Sequence, residues 1–364
     1  MNRHFRKAAA AILTAAVLTG LPSASIVNAA DGQKKLVVLG DGISSGKGLE
    51  KPENSYVSLL ERYYHYDVVN LAKDDCTSAD LLATLDDPSV KEQLADADVI
   101  IFSVGLQDIM QPFQEEVNRF MAENNLEFTG IDEMFAADRS KINITDDDLS
   151  TEANILADAL RSGRETCQAN VTAIGEKLSA YPNAEIIGLN VYNALNTIEQ
   201  YTDLSSKRRM SYDIIKNPAK AVLNNYVNAA YTGLKEKGIE VVDTFSAFGD
   251  RAYLYTGLNN MSYYPSEEGH ALIAEKLKEF LGSEPELAKG DVNGDTIVNS
   301  KDATMILRAA AKFGAGNDMG LSEAQKKAAD VNGDGNINSV DATAIFRYAA
   351  AYGNDSTVKL ENFV

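Results

Sequence analysis

Two twelve-residue stretches near the C-terminal end carry oxygen donors at a spacing suited to a hard cation. The first runs Asp291-Val292-Asn293-Gly294-Asp295-Thr296-Ile297-Val298-Asn299-Ser300-Lys301-Asp302. The second runs Asp330-Val331-Asn332-Gly333-Asp334-Gly335-Asn336-Ile337-Asn338-Ser339-Val340-Asp341. Positions 1, 3, 5, 9 and 12 are Asp291, Asn293, Asp295, Asn299 and Asp302, then Asp330, Asn332, Asp334, Asn338 and Asp341. Position 7 offers a main-chain carbonyl, from Ile297 and Asn336. Such a ring of carboxylate, amide and carbonyl oxygens binds Ca2+, one ion per loop. Position 6 needs a sharp turn and is Gly335 in one loop but Thr296 in the other. A non-glycine residue in a left-handed turn costs about 1–2 kcal/mol, so the first loop is expected to bind calcium more weakly.

A second chemical stretch lies near the other end. Leu36-Val37-Val38-Leu39 reads as a strand buried on both faces, and Gly40-Asp41-Gly42 as a tight turn into a helix. Ligands of open parallel sheets bind beyond such strand ends. Three later segments carry polar groups to the same end: Asp75 after Asn70-Leu71-Ala72, Gln107 and Asp108 after Gly105, and Tyr264 beside Pro265. Asp41, Asp75, Gln107, Asp108 and Tyr264 together suit a hydroxyl-rich ligand such as a sugar. Asp41 and Asp108 equally suit hydrogen bonds to turn backbone, so a hollow without a ligand is the simpler reading.

These segments resemble, in order, the four signature blocks of the SGNH (GDSL-type) hydrolases, secreted esterases and lipases. The resemblance implies a flavodoxin-like three-layer α/β fold, a doubly wound parallel sheet, over residues 31–281. It also implies a serine nucleophile at 42, oxyanion donors at 75 and 107, an acid at 261 and a histidine base at 264. Here those positions are Gly42, Asp75, Gln107, Met261 and Tyr264. Glycine has no nucleophile, a carboxylate repels an oxyanion, and a phenol with an ordinary pKa of about 10 is a poor base at neutral pH. Losing one triad member already costs about a millionfold in turnover, so the expectation is a pseudoenzyme with no catalytic residues. The alternative is an active carbohydrate esterase with a relocated site. Ser44 and Ser45 are the nearby hydroxyls, expected along the first helical turn. His65 is expected on the surface or in a loop, and His270 in packing or capping near the last helix's start.

The elements that must position these groups follow from periodicity. Strands are expected at 68–72, 99–105, 186–191 and 239–243, with helices over 52–64, 77–85, 111–124, 151–178, 219–237 and 271–281. Strand and helix alternation implies a parallel sheet. The apolar fraction of 45% supports a packed core, and the net charge of −19 argues against nucleic acid and anionic membranes. Arg3, Arg6 and Lys7 precede an apolar run from Ala8 to Leu21 and a small-residue exit at Val27-Asn28-Ala29-Ala30. This reads as a secretory signal peptide, residues 1–30, and so as an exported protein. The cysteines, Cys76 and Cys167, leave one disulfide and two free thiols equally open.

Beyond a linker at 282–290, each acidic loop runs into an Ala-rich helix, at 303–312 and 342–352. The tandem EF-hand-like loops with Asp at position 12 resemble a type I dockerin, a small all-α calcium-binding module, here placed at 291–353 with a tail at 354–364. The resemblance implies a cohesin domain of a cellulosome scaffoldin as partner. It implies contacts through Ser300, Lys301, Leu307 and Arg308 in one copy and Ser339, Val340, Phe346 and Arg347 in the other. The Lys301/Val340 difference makes the two faces unequal. The combined reading is an extracellular, cellulosome-associated protein that serves plant polysaccharide binding or degradation.

Overall fold

The computed structural model describes residues 33–127, 145–196, 206–258 and 262–364. The expected signal segment and Met261 lie outside the described residues. From Gly32 onward the chain forms one compact unit.

In chain order the first half comprises β1 (Lys35–Gly40), α1 (Gly42–Ser45), α2 (Tyr56–Tyr64), β2 (Asp67–Asn70), α3 (Ser78–Thr84), α4 (Pro88–Ala95) and β3 (Val99–Ser103). Then come α5 (Leu106–Glu123), α6 (Asp146–Ser162), α7 (Arg164–Leu178), β4 (Glu185–Leu189), α8 (Ser206–Val222) and α9 (Asn228–Leu234). The domain closes with β5 (Glu240–Val242), α10 (Thr244–Phe248), α11 (Ala252–Tyr255) and α12 (Glu267–Leu281). The sheet order is β2-β1-β3-β4-β5, every pairing parallel. This is the expected flavodoxin-like doubly wound sheet, with helices on both faces.

The strands are apolar because both faces are covered: Leu36 to Leu39 and Ile100 to Phe102 have no solvent exposure. Tyr231 of α9 stacks on Phe102 of β3 at 5.6 Å and takes up the main chain of Val104 through its hydroxyl, at 3.0 and 2.9 Å. A buried phenol needs such partners. Several expected boundaries move. The long helix expected at 151–178 is two, α6 and α7, broken at Gly163, where a side chain would stand 2.7 Å from the Asp108 carbonyl. Helix α5 begins at Leu106 rather than 111 and carries Pro112 inside it.

The C-terminal module holds α13 (Ser300–Gly314), α14 (Glu323–Ala329) and α15 (Ser339–Tyr352). Its own core gathers Val292, Ala303, Ile306, Ala328, Val331, Ala342 and Ile345. Leu360 of the final segment joins that core and rests against Gly290, so the chain's last turn closes onto the module's start.

Candidate functional site

The corner after β1 is built on Gly40. Its φ is +123°, and a Cβ there would fall 1.8 Å from the Ser103 carbonyl, so no other residue fits. That close approach lets Asp41 N–H donate to Ser103 O at 3.0 Å. The Asp41 side chain caps α1, accepting from Ile43 N–H at 3.1 Å and Ser103 Oγ at 2.9 Å. Its other oxygen is buried without a partner, and burial pushes the carboxyl up to about 7. Ser44 is fully buried, its Oγ bonded to Tyr56 Oη at 2.6 Å and Ser103 Oγ at 2.7 Å. Ser45 Oγ donates to Asp74 Oδ1 at 2.6 Å. Both residues lie in the first helical turn, as expected, but their hydroxyls are engaged by side chains from other segments.

Tyr264 decides the shape of this corner. A β-bridge between Thr256 and Pro265, with Gly257 N–H donating to Tyr264 O at 2.9 Å, pins its backbone. The ring lies directly on Gly42: a Cβ at 42 would stand 2.3 Å from Tyr264 Cε1. The volume of a side chain at 42 is therefore already filled by the phenol at 264. Tyr264 Oη lies 3.0 Å from Gln107 Oε1 and 3.2 Å from Asp74 O, while Tyr263 Oη donates to the same Gln107 oxygen at 3.2 Å. Burial and the neighbouring Tyr263 drive the Tyr264 phenol far above its ordinary pKa, so it holds its proton.

Of the residues expected to line a pocket, Gln107 and Tyr264 are brought together. Asp75 lies at the exposed rim, 2.5 Å from Lys47 Nζ, whose ammonium sits 5.0 Å over the Tyr264 ring. Asp41 is buried beneath the turn. Asp108 faces away, accepting from Ser78 N–H at 2.8 Å and Ser78 Oγ at 2.6 Å at the start of α3. The sequence reading missed Lys47 and Tyr263, which carry no motif of their own.

Neither of the two histidines among the described residues is placed against a hydroxyl of this corner. His270 is fully buried, with Nδ1 accepting from Tyr56 N–H at 3.2 Å and Nε2 unpartnered. Burial pushes it down to about 4, so it is neutral at pH 7. His65, expected on the surface or in a loop, lies in the turn after α2 but is buried there, meeting Gln325 and Glu284 from the C-terminal part of the chain. Among the described residues neither imidazole is hydrogen-bonded to a hydroxyl or thiol. Cys76 and Cys167 are both free and buried, and burial pushes the Cys76 thiol up to about 12.

The two acidic loops share one hydrogen-bond pattern. Position 1 accepts from the turn, Asp291 from Gly294 and Thr296 N–H, Asp330 from Gly335 N–H. Positions 9 and 12 form the capping box of the next helix, Asn299 with Asp302 on α13 and Asn338 with Asp341 on α15. The side chains that would ligate the ion are thus the ones that start each helix. Asp302 and Asp341 have no exposure, and burial pushes Asp302 up to about 6. Asp330 Oδ1 is buried with no partner. Buried acids and an orphaned carboxylate oxygen fit a cation. An ion would displace the bonds from Asn293 Nδ2 to Asp295 Oδ2 (2.9 Å) and from Asn332 Nδ2 to Asp334 Oδ2 (3.0 Å). Thr296 has φ +63° where Gly335 has +81°, so position 6 of the first loop is left-handed despite its side chain.

Against protein families, residues 289–348 match the dockerin type I domain. This stretch is a type I dockerin. The eight residues of the expected cohesin face are all exposed on it, Val340 at 56%, Phe346 at 41% and Leu307 at 40% among them. Solved structures similar to this chain cover about two thirds of it. They include the lipase Lip_vut3 from a goat rumen metagenome, 18% identical with TM-score 0.42, covering 68% of this chain and 97% of that one. Phospholipase A1 from Streptomyces albidoflavus NA297 is 15% identical with TM-score 0.43, covering 69% and 99%. A catalytic mutant of an acetylxylan esterase from Geobacillus stearothermophilus is 17% identical with TM-score 0.40, covering 70% and 96%. A search of curated proteins finds no match. Among the described residues no helix is long and apolar enough to cross a membrane.

Proposed function

We propose that the chain is a secreted cellulosome component. Its dockerin binds two calcium ions and plugs into a scaffoldin cohesin, and its SGNH-like domain is a pseudoenzyme that serves polysaccharide binding. The domain limits follow the sequence reading: signal peptide 1–30, SGNH-like domain 31–281, linker 282–290, dockerin 291–353 and tail 354–364. The dockerin supports the first half of this reading, since such modules exist to dock, and calcium supplies their folding free energy.

One observation carries the second half: the Tyr264 ring occupies the space a nucleophile at 42 would need. Ser44 and His270 are each engaged elsewhere, which leaves no assembled nucleophile and base in the domain's cleft among the described residues. What remains is a closed, polar surface with Lys47, Asp75 and Tyr263 at its rim, groups that hydrogen-bond and stack with sugars. The test is hydrolysis of an aryl acetate and of acetylated xylan by the purified full chain. No turnover is expected, and turnover abolished by substitution in this cleft overturns the reading. Titration with xylo- and cello-oligosaccharides tests the binding half, and an absence of heat removes it.

A further inference from the structure

The dockerin is not a free appendage in this structure. His65 ends α2 with a left-handed backbone, φ +59°, and is buried at the seam with the C-terminal module. Its carbonyl accepts from Gln33 Nε2 at 2.6 Å, which holds the turn from behind. From the dockerin, Gln325 Nε2 lies 3.3 Å from His65 Nδ1, while Gln325 Oε1 caps α14 through Ser322 N–H at 3.0 Å. Glu284 of the linker comes within 3.9 Å of the imidazole and also bonds Ser322. Tyr64 Oη donates to the linker carbonyl of Gly282 at 2.5 Å.

The contact reaches the calcium loop itself. Gly294 is position 4 of the first loop, with φ +75°, and a Cβ there would fall 2.3 Å from His65 Cβ. The loop's turn and the histidine therefore touch without room for a methyl group. The second loop has no such neighbour, since nothing lies within 4 Å of a Cβ at Gly333.

From this juxtaposition we infer that the N-terminal domain is a built-in ligand for the folded first calcium loop, and that docking at His65 raises that loop's calcium affinity. The inference rests on calcium binding by the dockerin. A surface that recognises only the ordered loop adds its free energy to the ordered state, and linkage makes the effect reciprocal. Calcium ordering the loop favours docking, and docking favours calcium. Because both parts share one chain, the effective concentration is high and a small interface suffices. The first loop, which carries the left-handed Thr296, is the one so supported.

The test uses the full chain in a double-mutant cycle of His65→Gly and Gly294→Ala. Glycine at 65 keeps the left-handed backbone and deletes the ring. Alanine at 294 strains the loop and also blocks docking. Calcium affinity is read by calorimetric titration, and docking by the rate at which Glu-C protease cuts after the linker residue Glu286. His65→Gly is expected to weaken one of two calcium steps by about fivefold or more and to speed linker cleavage in calcium. Gly294→Ala is then expected to cost less in the His65→Gly background than in wild type. Two steps unchanged by His65→Gly, or strictly additive effects of the two substitutions, overturn the inference. A wild-type chain that takes up no calcium overturns the dockerin reading along with it, whereas equal uptake by wild type and His65→Gly overturns the inference alone.

Discussion

The corner at Gly42 and the loops at 291–302 and 330–341 begin from similar means. Each uses a glycine-permitted turn and a side chain that caps the helix starting immediately after it, Asp41 in the corner and Asn299 and Asn338 in the loops. They differ in what the side chains leave open. In the loops, a carboxylate oxygen of Asp330 stays buried and unsatisfied, and the acids of both copies sit in matching places. In the corner, an aromatic ring closes the space and its hydroxyl is spent on an amide. The corner keeps one unmet oxygen too, on Asp41, but it is sealed beneath the turn with no exposure, so room for a ligand, rather than unmet bonding alone, separates the two places.

The largest effect that would break this contrast is metal removal. A chelator is expected to unfold the dockerin and abolish cohesin capture while leaving the sheet domain intact, as followed by circular dichroism and a pull-down with immobilised cohesin. Retained capture in excess chelator would make the loops ordinary turns. Next, Asp330→Ala removes the orphaned oxygen and is expected to lower calcium affinity at the second loop by about a hundredfold, near the upper range for disturbing a metal site; calorimetry measures it.

At the corner, Gly42→Ser alone is expected to destabilise the chain by about 1–3 kcal/mol through overpacking against Tyr264, and the pair Gly42→Ser with Tyr264→His by distinctly less. Urea unfolding checks both, and equal costs would mean the ring moves aside freely. The smallest expected gain is at Thr296→Gly, which relieves a left-handed non-glycine residue and should tighten the first calcium step by about 1 kcal/mol.

Proton linkage sharpens the comparison further. Asp41 is raised to about 7 when folded, so between its unfolded value near 4 and pH 7 the native state holds a proton that the unfolded chain lacks. Stability from this group is present at low pH and is lost as pH rises toward 7. His270, lowered to about 4, acts oppositely and loses stability as pH falls below about 6.5. The Asp41→Asn variant isolates the first of these: its stability relative to wild type is expected to grow from pH 4 to 7, measured by urea unfolding in calcium.

Much of the fold was legible because the strands are short apolar runs at helix-length intervals, a local signal. The capping box of α3, Thr77 with Asp80 three residues on, is a local signal of the same kind. That the sheet is parallel followed from the alternation of strand and helix, whereas its flavodoxin-like arrangement came with the family resemblance. What escaped were contacts between residues far apart in sequence. Gly42 and Tyr264 each read as a lost function, but nothing local says that one fills the other. His65 reads as a surface or loop residue in a run of tyrosines; it does lie in a turn, but one covered by Gln325 from the C-terminal module. Gly163 broke a long helical pattern because of a carbonyl more than fifty residues earlier, at Asp108.

The interlock of Gly42 with Tyr264 also bears on how such a protein can change. A side chain at 42 meets the ring at 264, so the two positions are coupled in volume: neither can take a larger residue unless the other yields.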